Sequence, residues 1–136
     1  MRGKAVIPGQ AQGVALVSNE PLSFWGGYDW QTGEITDRRH PLSGQIAAGR
    51  VLCLPSARGS STTTAVLLEA IRNKTAPVAI LTTGTDFFFA LASVVAEELY
   101  AHPIPLIALE AEDFARLTTG DQLEVQADGS ILVGDP

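Results

Sequence analysis

Val51-Leu-Cys-Leu-Pro-Ser-Ala-Arg-Gly-Ser-Ser-Thr-Thr-Thr64 is the stretch on which the fold turns. An apolar run of strand length, Val51 to Leu54, meets a Pro-Ser-Ala-Arg-Gly loop, and a cluster of hydroxyls follows. Ser and Thr favour helix N-caps because their oxygens accept the first unpaired backbone N–H groups, so a helix is predicted to start at Ser60 or Ser61. Val66, Leu67, Ala70 and Ile71 then recur on one helical face. Arg72 and Lys74 fall in the last turn, where cations suit the helix dipole. The geometry carries chemistry as well. The first N–H groups of a helix lack intrahelical partners and carry about half a positive charge in aggregate. Gly59 allows close backbone approach to a ligand, and a serine there feels a field favouring its alkoxide or an anionic substrate group. A plain capped helix after a turn accounts for the same letters, and only the rest of the chain separates the two readings.

Downstream, Pro77-Val-Ala-Ile-Leu-Thr82 is a continuous apolar run suited to a doubly buried, parallel-type strand. Thr83-Gly-Thr-Asp86 turns into a second helix, with Asp86 as N-cap. That helix, Phe87 to about Ala101, has only Ser93, Glu97 and Glu98 as clearly polar residues. Such a helix is expected to be buried on most sides, in part against another polypeptide. Pro103 to Leu109 reads as a further strand, and 111–117 as a short helix. Leu123 and Val125 alternate with polar residues, Asp128-Gly129 turns, and Ile131 and Val133 alternate again, which is a hairpin signature.

Upstream, residues 5–18 read as two short strands joined at Pro8-Gly9. Phe24, Trp25, Tyr28 and Trp30 then surround the Gly26-Gly27 pair without a steady period. They suit either a fixed backbone path near a ligand or partner, or a satellite hydrophobic cluster pinning a long loop. Glu34-Ile-Thr begins a short strand, followed by a polar loop with Asp37, Arg38, Arg39 and His40. A lone His before Pro is more often a hydrogen-bonded loop residue than a catalyst. Strands first, then strand–helix alternation, then a hairpin describe one mixed β/α domain over residues 1–136.

The bulk numbers narrow the function. The chain has 136 residues, 46% hydrophobic and 18% charged, with a net charge of -6, which argues against a nucleic-acid role. The single cysteine, Cys53, excludes an internal disulfide and a metal site built from this chain's thiolates. No apolar run approaches the roughly 20 residues of a membrane span, and the N-terminus lacks a signal-peptide pattern, so a cytoplasmic location is expected.

Four features occur in order: Glu20-Pro-Leu-Ser-Phe-Trp-Gly-Gly-Tyr-Asp29; Thr32-Gly33 with Asp37 and His40-Pro-Leu42; Arg58-Gly-Ser-Ser61; and Gly120-Asp-Gln-Leu-Glu-Val125 with Gly129. Together they resemble the small swivel subunit of the aconitase X family over nearly the whole chain. Ala57 stands where the family has Gly before Arg-Gly-Ser-Ser, and Tyr28 precedes Asp29 where a smaller residue is usual.

The resemblance implies an α/β fold of the swivelling β/β/α type and a hydro-lyase acting on small hydroxy acids. It implies a large subunit that holds an iron–sulfur cluster and most substrate contacts, with no cofactor or metal bound by this chain. It assigns Ser60 as the base that removes the proton α to a carboxylate. Ser61, Arg58, Gly59, Ser23, Phe24, Trp25, Gly26, Gly27 and His40 are the candidate substrate-binding residues. Family members resemble either cis-3-hydroxy-L-proline dehydratases, which give Δ1-pyrroline-2-carboxylate, or mevalonate 5-phosphate dehydratases whose archaeal forms carry Lys at the position of Arg58. Arg58, and seven arginines against two lysines, lean to the former. Among other classes, a phosphocarrier would need His where Ser60 stands, and a serine hydrolase Gly-x-Ser-x-Gly where position 62 is Thr. A non-catalytic subunit covering the partner's active site is the remaining alternative.

Overall fold

The computed structural model describes residues 1–58 and 61–134, the side chain of Ser61 excepted. The elements run β1 (Lys4–Ile7), β2 (Ala11–Val17), β3 (Val51–Cys53), α1 (Ser61–Arg72), β4 (Ala79–Thr82), α2 (Phe87–Tyr100), β5 (Leu106–Ala108), α3 (Ala111–Phe114), β6 (Gln122–Val125) and β7 (Ile131–Gly134). The predicted strands at 77–82 and 103–109 are shorter than their apolar runs. Proline lacks the N–H a ladder needs, and β5 begins only after Pro105, whose carbonyl still accepts from Ile80.

The seven strands form one mixed sheet in the order β1-β5-β4-β3-β2-β6-β7. Its centre is parallel: β2 pairs β3, β3 pairs β4 and β4 pairs β5. α1 and α2 are the crossovers between successive parallel strands. β2 changes partner along its length. Ala11–Val14 pair antiparallel with β6, while Ala15–Val17 pair parallel with β3. β1 and β2 follow each other across Pro8-Gly9 but do not pair; β1 joins β5 instead. The two outer strands are also stitched together, because Gly3 N–H donates to Gly129 O (2.9 Å) and Ile131 N–H to Met1 O (2.7 Å). Backbone groups along that part of both edges are thereby satisfied.

Two cores result. On one side Leu16, Leu52, Ile80 and Leu106 pack against Leu67, Ala70 and Ile71 of α1 and Phe89, Ala92 and Ala96 of α2. On the other, Ala15, Val51, Cys53, Ala79, Leu81 and Ile107 pack against Phe114, Leu117, Leu123, Val125 and Ile131. Antiparallel layer, parallel layer and helix layer give the predicted β/β/α arrangement.

α2 departs from expectation. Asp86 caps it as predicted, and Phe89, Ala92, Ser93 and Ala96 are buried. Phe87, Leu91, Val94, Leu99 and Tyr100, however, are exposed. The helix packs against α1 on one flank and the sheet beneath, and these five side chains stay uncovered among the described residues. Among the described residues no helix is long and apolar enough to cross a membrane.

Candidate functional site

β3 and β4 both end at the same edge of the parallel sheet, and both lead into helices there. Loops at the carboxyl ends of parallel strands form the crevice where open α/β sheets bind ligands. The loop after β3 is held at several points. Leu54 N–H donates to Leu81 O (3.0 Å) and Thr83 Oγ1 to Pro55 O (3.3 Å). Ala57 N–H donates to Asp86 Oδ2 (2.8 Å), and Arg58 N–H to Leu22 O (2.9 Å). Gly59 and Ser60, assigned from sequence as the turn and the base, lie outside the described residues, as does the side chain of Ser61.

α1 opens at Ser61 with no acidic residue in its first turn, so no carboxylate of its own offsets the positive end of its dipole. Thr63 and Thr64 are buried, and Thr64 Oγ1 donates to Phe88 O (3.0 Å), tying the first turn of α1 to that of α2.

Beside this loop lies a cleft of about 440 Å³ lined by Glu20, Pro21, Ser23, Asp37, Arg39, His40 and Arg58. Segment 18–50 leaves β2, descends along the helix layer and returns. Tyr28 OH reaches Thr75 O (2.9 Å) beyond the far end of α1, and His40 comes back beside Glu20 O (3.3 Å). Two arginines and two carboxylates therefore face one cleft. Among the described residues none of the four takes part in an ion pair within 4 Å. Both guanidinium forks are available to an anionic group.

His40 is used differently from a free ring. Leu42 N–H donates to its Nδ1 (3.1 Å), which puts the proton on Nε2, facing Glu20 O. With both nitrogens engaged inside the chain, His40 braces the wall of the cleft.

The predicted site residues thus separate into two sets. Ser23, His40 and Arg58 meet at the cleft. Phe24, Trp25, Gly26 and Gly27 do not line it. Phe24 is 1% exposed, stacked on Tyr28 at 5.1 Å and edge-on to Phe89 at 5.4 Å, so its ring belongs to the core. The satellite-cluster reading describes Phe24 and Tyr28. Trp25, 76% exposed, points away from that core. Gly26 and Gly27 are backed by Thr36, whose Oγ1 donates to Gly26 O and whose N–H donates to Gly27 O. Glu20, Asp37 and Arg39 were not singled out as site residues from sequence. They reach the cleft through an irregular excursion that no periodicity describes.

Comparison with known proteins gives concordant results. The aconitase X swivel domain, as a protein family, matches residues 1–133. A cis-3-hydroxy-L-proline dehydratase of Pseudomonas aeruginosa is 42% identical over 132 residues, which cover 92% of this chain and 23% of that protein. The chain therefore spans about a quarter of that relative's length. A phosphomevalonate dehydratase small subunit of Methanothermobacter thermautotrophicus is 35% identical over 125 residues, covering 92% of this chain and 90% of that one. The crystal structure of Thermococcus kodakaraensis aconitase X in its holo-form superposes with a TM-score of 0.87 at 30% identity, covering 98% of this chain and 97% of that one.

Proposed function

Because the chain belongs to the aconitase X swivel-domain family, we propose that residues 1–136 form the small subunit of a two-subunit hydro-lyase of the cytoplasm, dehydrating cis-3-hydroxy-L-proline to Δ1-pyrroline-2-carboxylate. The observation that carries this is the cleft. Arg58 and Arg39 face one space, where a carboxylate substrate would find two guanidinium forks.

In this reading Ser60 takes the proton from the carbon α to that carboxylate. Loss of the hydroxyl with a second proton, as water, leaves an enamine that tautomerises to the cyclic imine. A serine alkoxide is a high-energy base. The dipole of α1, the charge of Arg58 and exclusion of water by the large subunit are what would bring it within range. Ser61, Ser23 and the Gly59 backbone position the substrate, and His40 keeps the Glu20 edge of the cleft in register.

The family's iron–sulfur cluster does not fit this chain. Its one cysteine is fully buried in β3, and no three His, Cys, Asp or Glu side chains gather among the described residues. In this reading the large subunit holds the cluster.

The identity of 42% to the hydroxyproline enzyme, and Arg rather than Lys at position 58, favour that substrate. Mevalonate 5-phosphate is the second reading, favoured by the near full-length match to a phosphomevalonate dehydratase small subunit. Reconstitution with the large subunit and assay of both substrates decides between them. Ser60→Ala should lower turnover by roughly 10²–10⁴-fold, the usual range for a general base, and Ser61→Ala should cost less. Near-normal turnover in Ser60→Ala, or the larger loss in Ser61→Ala, removes Ser60 from this role and favours a non-catalytic covering subunit.

A further inference from the structure

Asp86 does more than cap a helix. Its Oδ1 accepts from Phe88 N–H (3.0 Å) and Phe89 N–H (3.1 Å), which is the N-cap expected from sequence. Its Oδ2 accepts the N–H of Ala57 at 2.8 Å, the shortest of the three, across 29 residues of chain. Both residues are nearly buried, with Asp86 9% and Ala57 8% exposed. A hydrogen bond to a carboxylate shielded from water is stronger and more directional than one at the surface.

What this bond holds is the segment that carries Arg58 ahead of α1. Ala57 N–H is fixed by Asp86 and the next amide, Arg58 N–H, by Leu22 O. In the first turn of α1, Thr64 Oγ1 is fixed to Phe88 O. Ala57 and Thr64 are therefore both attached to the start of α2, one through its cap and one through its first turn. Neither attachment is needed to form α1 or α2 as helices. We propose that Asp86 is a positioning residue for the reaction, coupling the start of α2 to Ala57 and Arg58 in the segment that leads in sequence to Ser60. The inference rests on Ser60 acting as the base. A base displaced by about 1 Å can cost 10²-fold in rate, so a clamp on the segment preceding it bears directly on turnover.

The two jobs of the carboxylate can be separated by substitution. Asp86→Ser keeps an oxygen able to cap α2, since Ser and Asp are comparable N-caps, but it is one atom too short to reach Ala57. Asp86→Asn is the second variant: its amide has one acceptor oxygen, so it cannot serve the cap and Ala57 together. Each is reconstituted with the large subunit and followed by steady-state kinetics. Hydrogen–deuterium exchange is measured in peptides covering 55–58 and 87–90.

The expected result is faster exchange at 55–58 with 87–90 still protected, a loss of at least 10-fold in kcat, and little change in KM. In a Ser60→Ala background, Asp86→Ser should add no further loss. Three results overturn the proposal: kcat unchanged although 55–58 exchanges faster; both peptides losing protection in both variants, with activity falling only as the folded fraction falls; or an undiminished effect of Asp86→Ser in the Ser60→Ala background. Failure of the serine reading is distinct, because it shows in Ser60→Ala alone, with Asp86 intact.

Discussion

At residue scale, two side chains have chemistry fixed by surroundings that the sequence names only in part. Cys53 sits inside β3, and burial raises its thiol well above the ordinary cysteine range, with Asp121 adding to the effect. The thiolate is the reactive form, so Cys53 should resist a thiol reagent in the native protein and react fully once denatured. Rapid labelling at neutral pH would contradict that burial. Asp128 behaves in the opposite sense. Ser130 N–H donates to its Oδ1 (2.8 Å) and Arg2 lies 3.8 Å away, so its carboxyl is held below the usual carboxylate range, chiefly by the Ser130 bonds. A carboxyl lowered on folding stabilises the fold above its unfolded pKa, and that contribution disappears as pH falls through the folded one. Asp128→Asn should therefore narrow the gap in thermal midpoint between neutral and acidic buffer without altering turnover. Arg58 belongs to the site. Arg58→Lys keeps the charge but loses the planar fork, so kcat/KM should drop about 10-fold or more if the substrate carboxylate is bound by two parallel bonds, each worth ~1.5 kcal/mol or more. Equal performance by Lys would reduce Arg58 to a point charge.

At the scale of elements, what was legible followed periodicity. The hairpin of β6 and β7 alternates with period two, α1 and α2 carry runs of helical length, and Asp86 stands where an N-cap belongs. In the excursion between β2 and β3 the short strand expected from Glu34 is only a pair of single bridges, Tyr28↔Ile35 and Glu34↔Ile46, and side-chain bonds hold the rest. Those contacts have no period, and so the arrival of Glu20, Asp37 and Arg39 at the cleft could not be read. The glycine pair shows the same limit, since its two members do different things. Gly26 has φ +73 with open space around it, whereas a Cβ on Gly27 would lie 2.0 Å from Ser23 O. Gly26→Ala should cost only the left-handed strain, about 1–2 kcal/mol. Gly27→Ala forces the backbone of Ser23 aside, and Ser23 borders the cleft. Thermal midpoint and turnover should fall together in Gly27→Ala and by clearly more than in Gly26→Ala. Equal effects of the two would mean that the close contact with Ser23 is not what selects glycine.

At the scale of the molecule, the exposed face of α2 begins one residue after the cap that holds the loop carrying Arg58. Phe87 is 67% exposed and directly follows Asp86, which is bonded to Ala57 beside Arg58. Leu91 and Val94 continue the same face at i+4 and i+7. A polypeptide docked on this face would meet Phe87 and extend along the helix. The hydroxyproline relative has roughly three-quarters of its length beyond the matched region, and the proposed large subunit is the separate counterpart of that mass. Expressed alone, the chain should give no turnover and bind no iron. Mixed with its large subunit, it should show slowed exchange in peptides across 87–99. Phe87→Glu with Leu91→Glu places two carboxylates on that face without touching the packed side chains Phe89, Ala92 and Ala96. Losing two apolar anchors of about 1.5–3 kcal/mol each should weaken assembly by 10²-fold or more, with the thermal midpoint of the isolated chain nearly unchanged. Should the double substitution leave assembly intact but abolish self-association of the isolated chain, the face pairs with a second copy, and the large subunit closes the cleft from the side of Trp25.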